Sequence, residues 1–139
     1  VFKLTEDCIF CKIVKGEIPC NKLYEDEKTL AFLDIGPVSK GHTLVIPKEH
    51  AVRIHELSKE SSDALIKTVQ KVSLAIEKAF NCDFNILNNN GSKAGQVVNH
   101  IHFHIIPRTG EEGFKFNWPS EKYEEGENKE ILGKIVENL

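Results

Sequence analysis

Two hydrophobic rhythms divide the chain. Between Ser61 and Phe80 the apolar residues Leu65, Ile66, Val69, Val72, Ala75, Ile76 and Phe80 return every three or four positions, the repeat of a helix with one buried face. Leu65, Val69, Val72 and Ile76 form the stripe expected to press on a sheet, with Ser58 or Ser61 as candidate cap. Elsewhere the apolar runs are short and bounded by turn residues. Leu23-Tyr24-Glu25 and Thr29 to Asp34 read as a hairpin about Asp26-Glu27, and Gly36, Pro37 and Gly41 lead into a strand from His42 to Pro47. Phe84 to Leu87 and His100 to Ile106 read as two more strands around an Asn/Gly/Ser/Lys turn. Cys8 to Gly16 reads as a helical turn stopped by Gly16 and Pro19. Asn128 to Leu139 repeats Ile131, Leu132, Ile135 and Val136 at helical spacing, interrupted by Gly133. One long helix among hairpin-linked strands predicts an α+β fold with a largely antiparallel sheet and a C-terminal helix.

No repeat or linker interrupts residues 1–139, which are read as a single domain whose last part, about 120–139, is a polar tail or helix. Glu121 to Lys129 is glutamate-rich and expected to be solvated. The net charge of −3 gives no electrostatic grip on nucleic acid or an anionic membrane. No apolar run approaches the roughly 18 residues of a membrane span. The chain opens on Val1 without a secretory pattern. Its 4 cysteines are too few for a disulfide scaffold, so a reducing, cytoplasmic setting is expected.

Half of the 6 histidines fall in His100-Ile101-His102-Phe103-His104-Ile105-Ile106. On a strand the three imidazoles share one face and Ile101, Phe103 and Ile105 the other, with successive histidines roughly 7 Å apart. Three readings compete. The histidines are a polar face; two of them, with a third from elsewhere, hold a catalytic zinc; or a neutral imidazole attacks an electrophile while its neighbours manage charge and protons. Upstream, Asn88 to Gln96 is rich in amides and glycines, and backbone N–H groups beside Gly91 and Gly95 suit an anion such as phosphate. That neighbour favours covalent catalysis. Cys8-x2-Cys11 is a zinc half-site by spacing, and also fits a redox pair or two buried thiols. Cys20 and Cys82 are isolated and read as core or surface residues, and His55 as a surface residue.

Gly95 to Ile106, with its His-φ-His-φ-His-φ-φ pattern (φ apolar), resembles the signature of the histidine triad (HIT) family. Cys8 to Cys11 with Gly16-Glu17-Ile18-Pro19, Ala31 to Ile35, and Gly41 to Lys48 resemble the family in the same order, so the likeness spans about residues 8 to 119. It implies a homodimeric α+β nucleotide-binding protein, often a nucleotidyl hydrolase or transferase. Carried over position by position, it makes His102 the nucleophile on the α-phosphorus, with His104 and His42 beside the phosphate. It puts Asp34 on the ribose hydroxyls, which a carboxylate accepts well, although Asp34 also reads as a turn cap ahead of Gly36-Pro37. Ile35 would line the base, Asn89 would bond near ribose or phosphate, and Gly95 would offer backbone to the phosphate. Val97 stands where several members carry a serine or threonine, so only its backbone N–H, or the Gln96 amide beside it, is left to assist the leaving group.

In zinc-bearing members that the chain resembles, the metal site is completed by a histidine after the Ile-Pro-Lys strand and by the first of the triad. The implied ligands are Cys8, Cys11, His50 and His100, one structural Zn²⁺ per chain with a closed coordination sphere; no catalytic metal is expected. The implied activity is hydrolysis of a purine nucleoside monophosphate derivative, an adenosine phosphoramidate first, through a nucleotidyl-histidine. Rival readings are a dinucleoside polyphosphate hydrolase, in which Phe114, Phe116 and Trp118 stack on a second base or on the partner subunit, and a nucleotide-binding regulatory protein with incidental turnover.

Overall fold

The computed structural model describes residue 5 and residues 7–139. Strand β1 (Lys22–Glu25) turns into β2 (Thr29–Leu33) at Asp26, whose Oδ1 accepts from the Lys28 and Thr29 N–H groups at 2.9 and 2.8 Å. Strands β3 (Thr43–Pro47), β4 (Asp83–Leu87) and β5 (Phe103–Arg108) complete a five-stranded sheet in the order β1-β2-β3-β5-β4, every neighbouring pair antiparallel. The expected α+β fold with an antiparallel sheet is observed.

The long helix (Lys59–Phe80) starts on Ser58, whose Oγ accepts from the Ser61 N–H at 3.2 Å, and ends on Asn81 in the left-handed conformation. Of the helical stripe, Leu65, Val69, Val72 and Ile76 are buried, and they pack with Ala31, Val45, Ile101, Phe103 and Ile105 on one face of the sheet. Ile66, Ala75 and Phe80 lie outside that seam and are exposed. The short helix Ile9–Val14, capped by Cys8, covers the other face, where Phe10 and Cys11 meet Leu30, Phe32, Leu44 and Ile46. These two helices are called α2 and α1; α3 (Glu127–Val136) follows an exposed segment and buries no residue.

Two boundaries differ from the sequence reading in ways that matter. The histidine strand is regular only from Phe103, so His100 to His102 are loop rather than strand. His42 lies just outside β3, behind Gly41 at φ +93°, where a Cβ would lie 2.6 Å from the Phe80 ring. The chain bends tightly at that point and delivers His42 to the α1 side of the sheet, where it meets His104.

The two faces of α2 predict unequal costs of truncation. Leu65→Ala, at a fully buried position, should lower stability by about 2–5 kcal/mol. Leu74→Ala, at a half-exposed one, should change it by less than about 0.5 kcal/mol. Denaturant unfolding of the two variants checks the seam; equal costs would contradict it.

Candidate active site

Ile101, Phe103 and Ile105 enter the α2 core and the three histidines face α1, but the histidines then part company. The His100 ring turns to the N-terminal cysteines. Its Nε2–H donates to the Pro47 carbonyl at 2.8 Å, which leaves Nδ1 unprotonated. That Nδ1 lies 3.4 Å from Cys8 Sγ, 3.6 Å from Cys11 Sγ and 3.2 Å from His50 Nδ1, while Cys11 Sγ lies 3.3 Å from His50 Nδ1. The four donor atoms converge on one point, all within 4.8 Å of one another, as a metal-binding cluster requires. Burial, with the neighbouring Cys11 thiol adding to it, pushes the Cys8 thiol up, partly offset by donation from the Cys11 N–H; holding it as a thiolate calls for a nearby cation.

His102 and His104 close on each other instead, their ring centroids 4.9 Å apart, tighter than the roughly 7 Å spacing of their positions on an ideal strand. The His102 Nδ1–H donates to the His100 carbonyl at 2.7 Å. Its Nε2 therefore keeps a free lone pair. Phe10 packs edge-on against the same ring, with centroids 5.2 Å apart. Phe10 thus packs on the nucleophile candidate from α1, on the same face of the sheet, a contact its apolar place between two cysteines did not reveal.

A second chain of bonds fixes His104. The Val38 N–H donates to His42 Nδ1 at 3.2 Å, so the proton of a neutral His42 is on Nε2, which donates to His104 Nδ1 at 2.9 Å. His104 must then carry its own proton on Nε2, a donor for an incoming anion. Asp34 Oδ2 lies 3.6 Å from His42 Nε2, and Oδ1 accepts from the Gly36 N–H at 2.8 Å. Asp34, His42 and His104 also lie close enough together to share a metal ion. The Val38 bond, however, leaves His42 Nε2 protonated, so the trio is a hydrogen-bonded chain rather than a cage. Burial lowers the pKa of all three site histidines. For His42 and His102 it outweighs the opposing pull of Asp34 and, for His102, of the bond to the His100 carbonyl; for His104, with His102 and His42 adding like charge, the value falls to about 4.

Both imidazoles open onto a cleft of about 370 Å³ walled by Ile9, Phe10, Phe32, Leu44, Ile35 and Val97, among other side chains, a size and lining that suit a small organic ligand. Ile35 is 95% and Val97 90% exposed, apolar surface without a cover. Asp34 stands at the rim, and Cys20 lines the wall. Asn89 is spent on its own loop, its Nδ2 donating to the Gly95 carbonyl at 3.3 Å. The expectation for the Gln96 side chain needs correction. Its Nε2 donates to the Val52 and Val98 carbonyls at 2.8 and 3.1 Å, and its Oε1 accepts from the Gly91 N–H at 2.8 Å, so the amide is committed to backbone. Gly95, at φ +91°, takes a turn conformation that suits glycine. Phe114, Phe116 and Trp118 stack on one another, with Arg108 over the first two rings, and none of them lines this cleft.

Comparison with known proteins finds relatives both in sequence and in fold. The HIT domain family model matches residues 15–111. The chain is 58% identical over 114 residues to adenosine 5′-monophosphoramidase of Schizosaccharomyces pombe, covering 81% of this chain and 84% of that protein. It is similar to the crystal structure of a HIT family member from Bacillus subtilis (TM-score 0.90, 47% identity, 96% of this chain and 98% of that one). It is also similar to a zinc-bound histidine triad family protein from Mycobacterium smegmatis (TM-score 0.73, 34% identity, 96% and 98%).

The buried imidazoles set a direction for acid sensitivity. His100 and His104 have pKa values near 4 in the fold against 6.5 outside it. Between those values the unfolded chain binds protons that the folded chain does not, so stability falls as pH drops through that window and levels off below it. Thermal unfolding should show a Tm that declines from pH 7 to 4.5, less steeply in His104→Gln. A flat profile would contradict the burial argument.

Proposed function

The chain belongs to the HIT domain family, and we propose that it hydrolyses nucleoside monophosphate derivatives at the α-phosphorus, with His102 as nucleophile. The observation that carries this reading is the tautomer of His102: Nδ1–H bound to the His100 carbonyl at 2.7 Å, and Nε2 free beside the cleft. Burial keeps that nitrogen unprotonated at neutral pH.

In the first step His102 Nε2 attacks phosphorus, a phosphorus–nitrogen bond to the enzyme forms, and the bond to the leaving group breaks. The leaving nitrogen of a phosphoramidate arrives protonated and departs as the neutral amine, so no neutral ring has to give up its only proton, and the His42 Nε2–H bond to His104 Nδ1 at 2.9 Å keeps the His104 Nε2–H aimed at the phosphoryl oxygens. In the second step water attacks phosphorus, the bond to His102 breaks and returns the lone pair to Nε2, and the proton released by water passes to the solvent. Splitting the displacement in two lets one imidazole be nucleophile and then leaving group. His104 Nε2–H and exposed backbone N–H groups offset charge on the phosphoryl oxygens. The base lies against Ile35 and the apolar wall, and Asp34 Oδ2 accepts from the ribose hydroxyls. With Val97 lacking a hydroxyl and the Gln96 amide committed to backbone, no neutral side chain at the site can protonate the leaving group. An adenosine phosphoramidate suits that arrangement because its nitrogen brings its own proton.

The Cys8, Cys11, His50 and His100 cluster fits zinc. Zn–S bonds of ~2.3 Å and Zn–N bonds of ~2.0 Å in a tetrahedron put sulfur and nitrogen ligands ~3.5 Å apart and two nitrogens ~3.3 Å apart. The four distances above run from 3.2 to 3.6 Å. Four protein ligands close the sphere, so the ion would brace the fold and supply no Lewis-acid step. The exposed apolar surface of Ile35 and Val97 and of α3 supports assembly as a homodimer, and the free thiols of Cys8 and Cys11 suit a reducing, cytoplasmic setting.

Incubation with adenosine 5′-phosphoramidate should release AMP, and His102→Ala should abolish release while binding AMP and unfolding cooperatively. No release by the parent protein would overturn the reading. Metal analysis should find about one zinc per chain, lost in Cys11→Ser together with part of the thermal stability; a metal-free parent would remove the zinc assignment and leave the histidine chemistry standing.

A further inference from the structure

Asn88 has no part in the chemistry above, yet it holds the residue that does. The β4–β5 ladder runs only as far as Leu87 opposite His104, and β5 begins at Phe103. His102 therefore lies one residue outside the regular strand, and its carbonyl is met by a side-chain amide: Asn88 Nδ2 donates to it at 3.0 Å. Asn88 is oriented in turn. Asn90 Nδ2 donates to Asn88 Oδ1 at 2.6 Å, and the Ile54 N–H donates to Asn90 Oδ1 at 2.8 Å. One end of this chain is a backbone N–H, which only donates; the other is a carbonyl, which only accepts. Each amide between them has a single self-consistent orientation.

The nucleophile is thus gripped twice. Its ring is bound to the His100 carbonyl at 2.7 Å and its main chain to Asn88 at 3.0 Å. The neighbouring Asn89 turns the other way, to Gly95. Asn88 and Asn90 reach from the end of β4 to the Ile54–Glu56 turn, so the grip is braced against a separate part of the chain. We propose that Asn88, oriented by Asn90, is a positioning residue that holds the His102 main chain where its Nε2 addresses the phosphorus. This inference rests on the reading of His102 as nucleophile. A displaced nucleophile costs rate without costing affinity, because the cleft that binds the nucleotide is built from other residues.

The test compares kcat and KM for adenosine 5′-phosphoramidate, and AMP affinity, in the parent, Asn88→Ala, Asn88→Asp, Asn90→Ala and the double alanine variant at neutral pH. Melting and metal content serve as controls for the fold. Both Asn88 variants should lose about 10–100-fold in kcat, with KM and AMP affinity within about twofold. Asn88→Asp matters most, since it keeps the shape and replaces the donor by an acceptor facing a carbonyl. Asn90→Ala should lose less, and the double variant should be no slower than Asn88→Ala, as expected of two members of one chain. Parent-like kcat in Asn88→Asp, losses confined to KM, or additive losses in the double variant would each overturn the proposal. Should the Asn88 variants fail to fold, parent-like kcat in Asn90→Ala overturns it alone. An inactive parent would instead remove the nucleophile reading and this inference with it.

Discussion

One residue ties the fold to the chemistry. The His100 side chain joins Cys8, Cys11 and His50, which brings α1 onto the sheet; the His100 carbonyl accepts the Nδ1–H of His102. Whatever fixes the first contact fixes the second, because ring and carbonyl belong to the same short stretch of loop ahead of β5. Regular strand at this place would commit the carbonyl to the ladder. The irregular backbone from His100 to His102 is what frees it to set a tautomer.

From there the site follows by elimination of protons. Each neutral imidazole has one N–H, and each is assigned by a partner that only donates or only accepts: Pro47 and His100 carbonyls for His100 and His102, the Val38 N–H for His42, and His42 for His104. The outcome is a free lone pair on His102 and a free donor on His104, side by side on one cleft. Desolvation holds the set neutral, since burial disfavours the charged form of each ring. The same burial is a liability in acid, where the unfolded chain gains protons that the site refuses.

The sequence carried the parts of this arrangement that repeat. The α2 stripe, the hairpin at Asp26 and the separation of the Ile101-Phe103-Ile105 face from the histidine face follow from periods of 3.6 and 2, and all are present. Four ligand candidates separated by up to 92 positions met in space because their family pattern placed them, not because spacing did. What stayed hidden was side-chain to backbone bonding. The Gln96 amide reads as a helper for the leaving group but closes its own loop, and Asn89 is the asparagine the family resemblance singles out while its neighbour Asn88 is the one that reaches the His102 carbonyl. Phe10 drew no role from the sequence but packs on the His102 ring. Amides and aromatics choose partners by local geometry, which no periodicity encodes.

If His102 is the nucleophile, phosphorus becomes bonded to it during turnover. Mixing enzyme with adenosine 5′-phosphoramidate, quenching within one turnover under non-acidic conditions, and mapping the nucleotide adduct by peptide mass spectrometry makes that bond visible. An adenylyl group is expected on His102, absent when His102→Ala is used. Turnover with no adduct, or an adduct on His104 instead, would contradict that role.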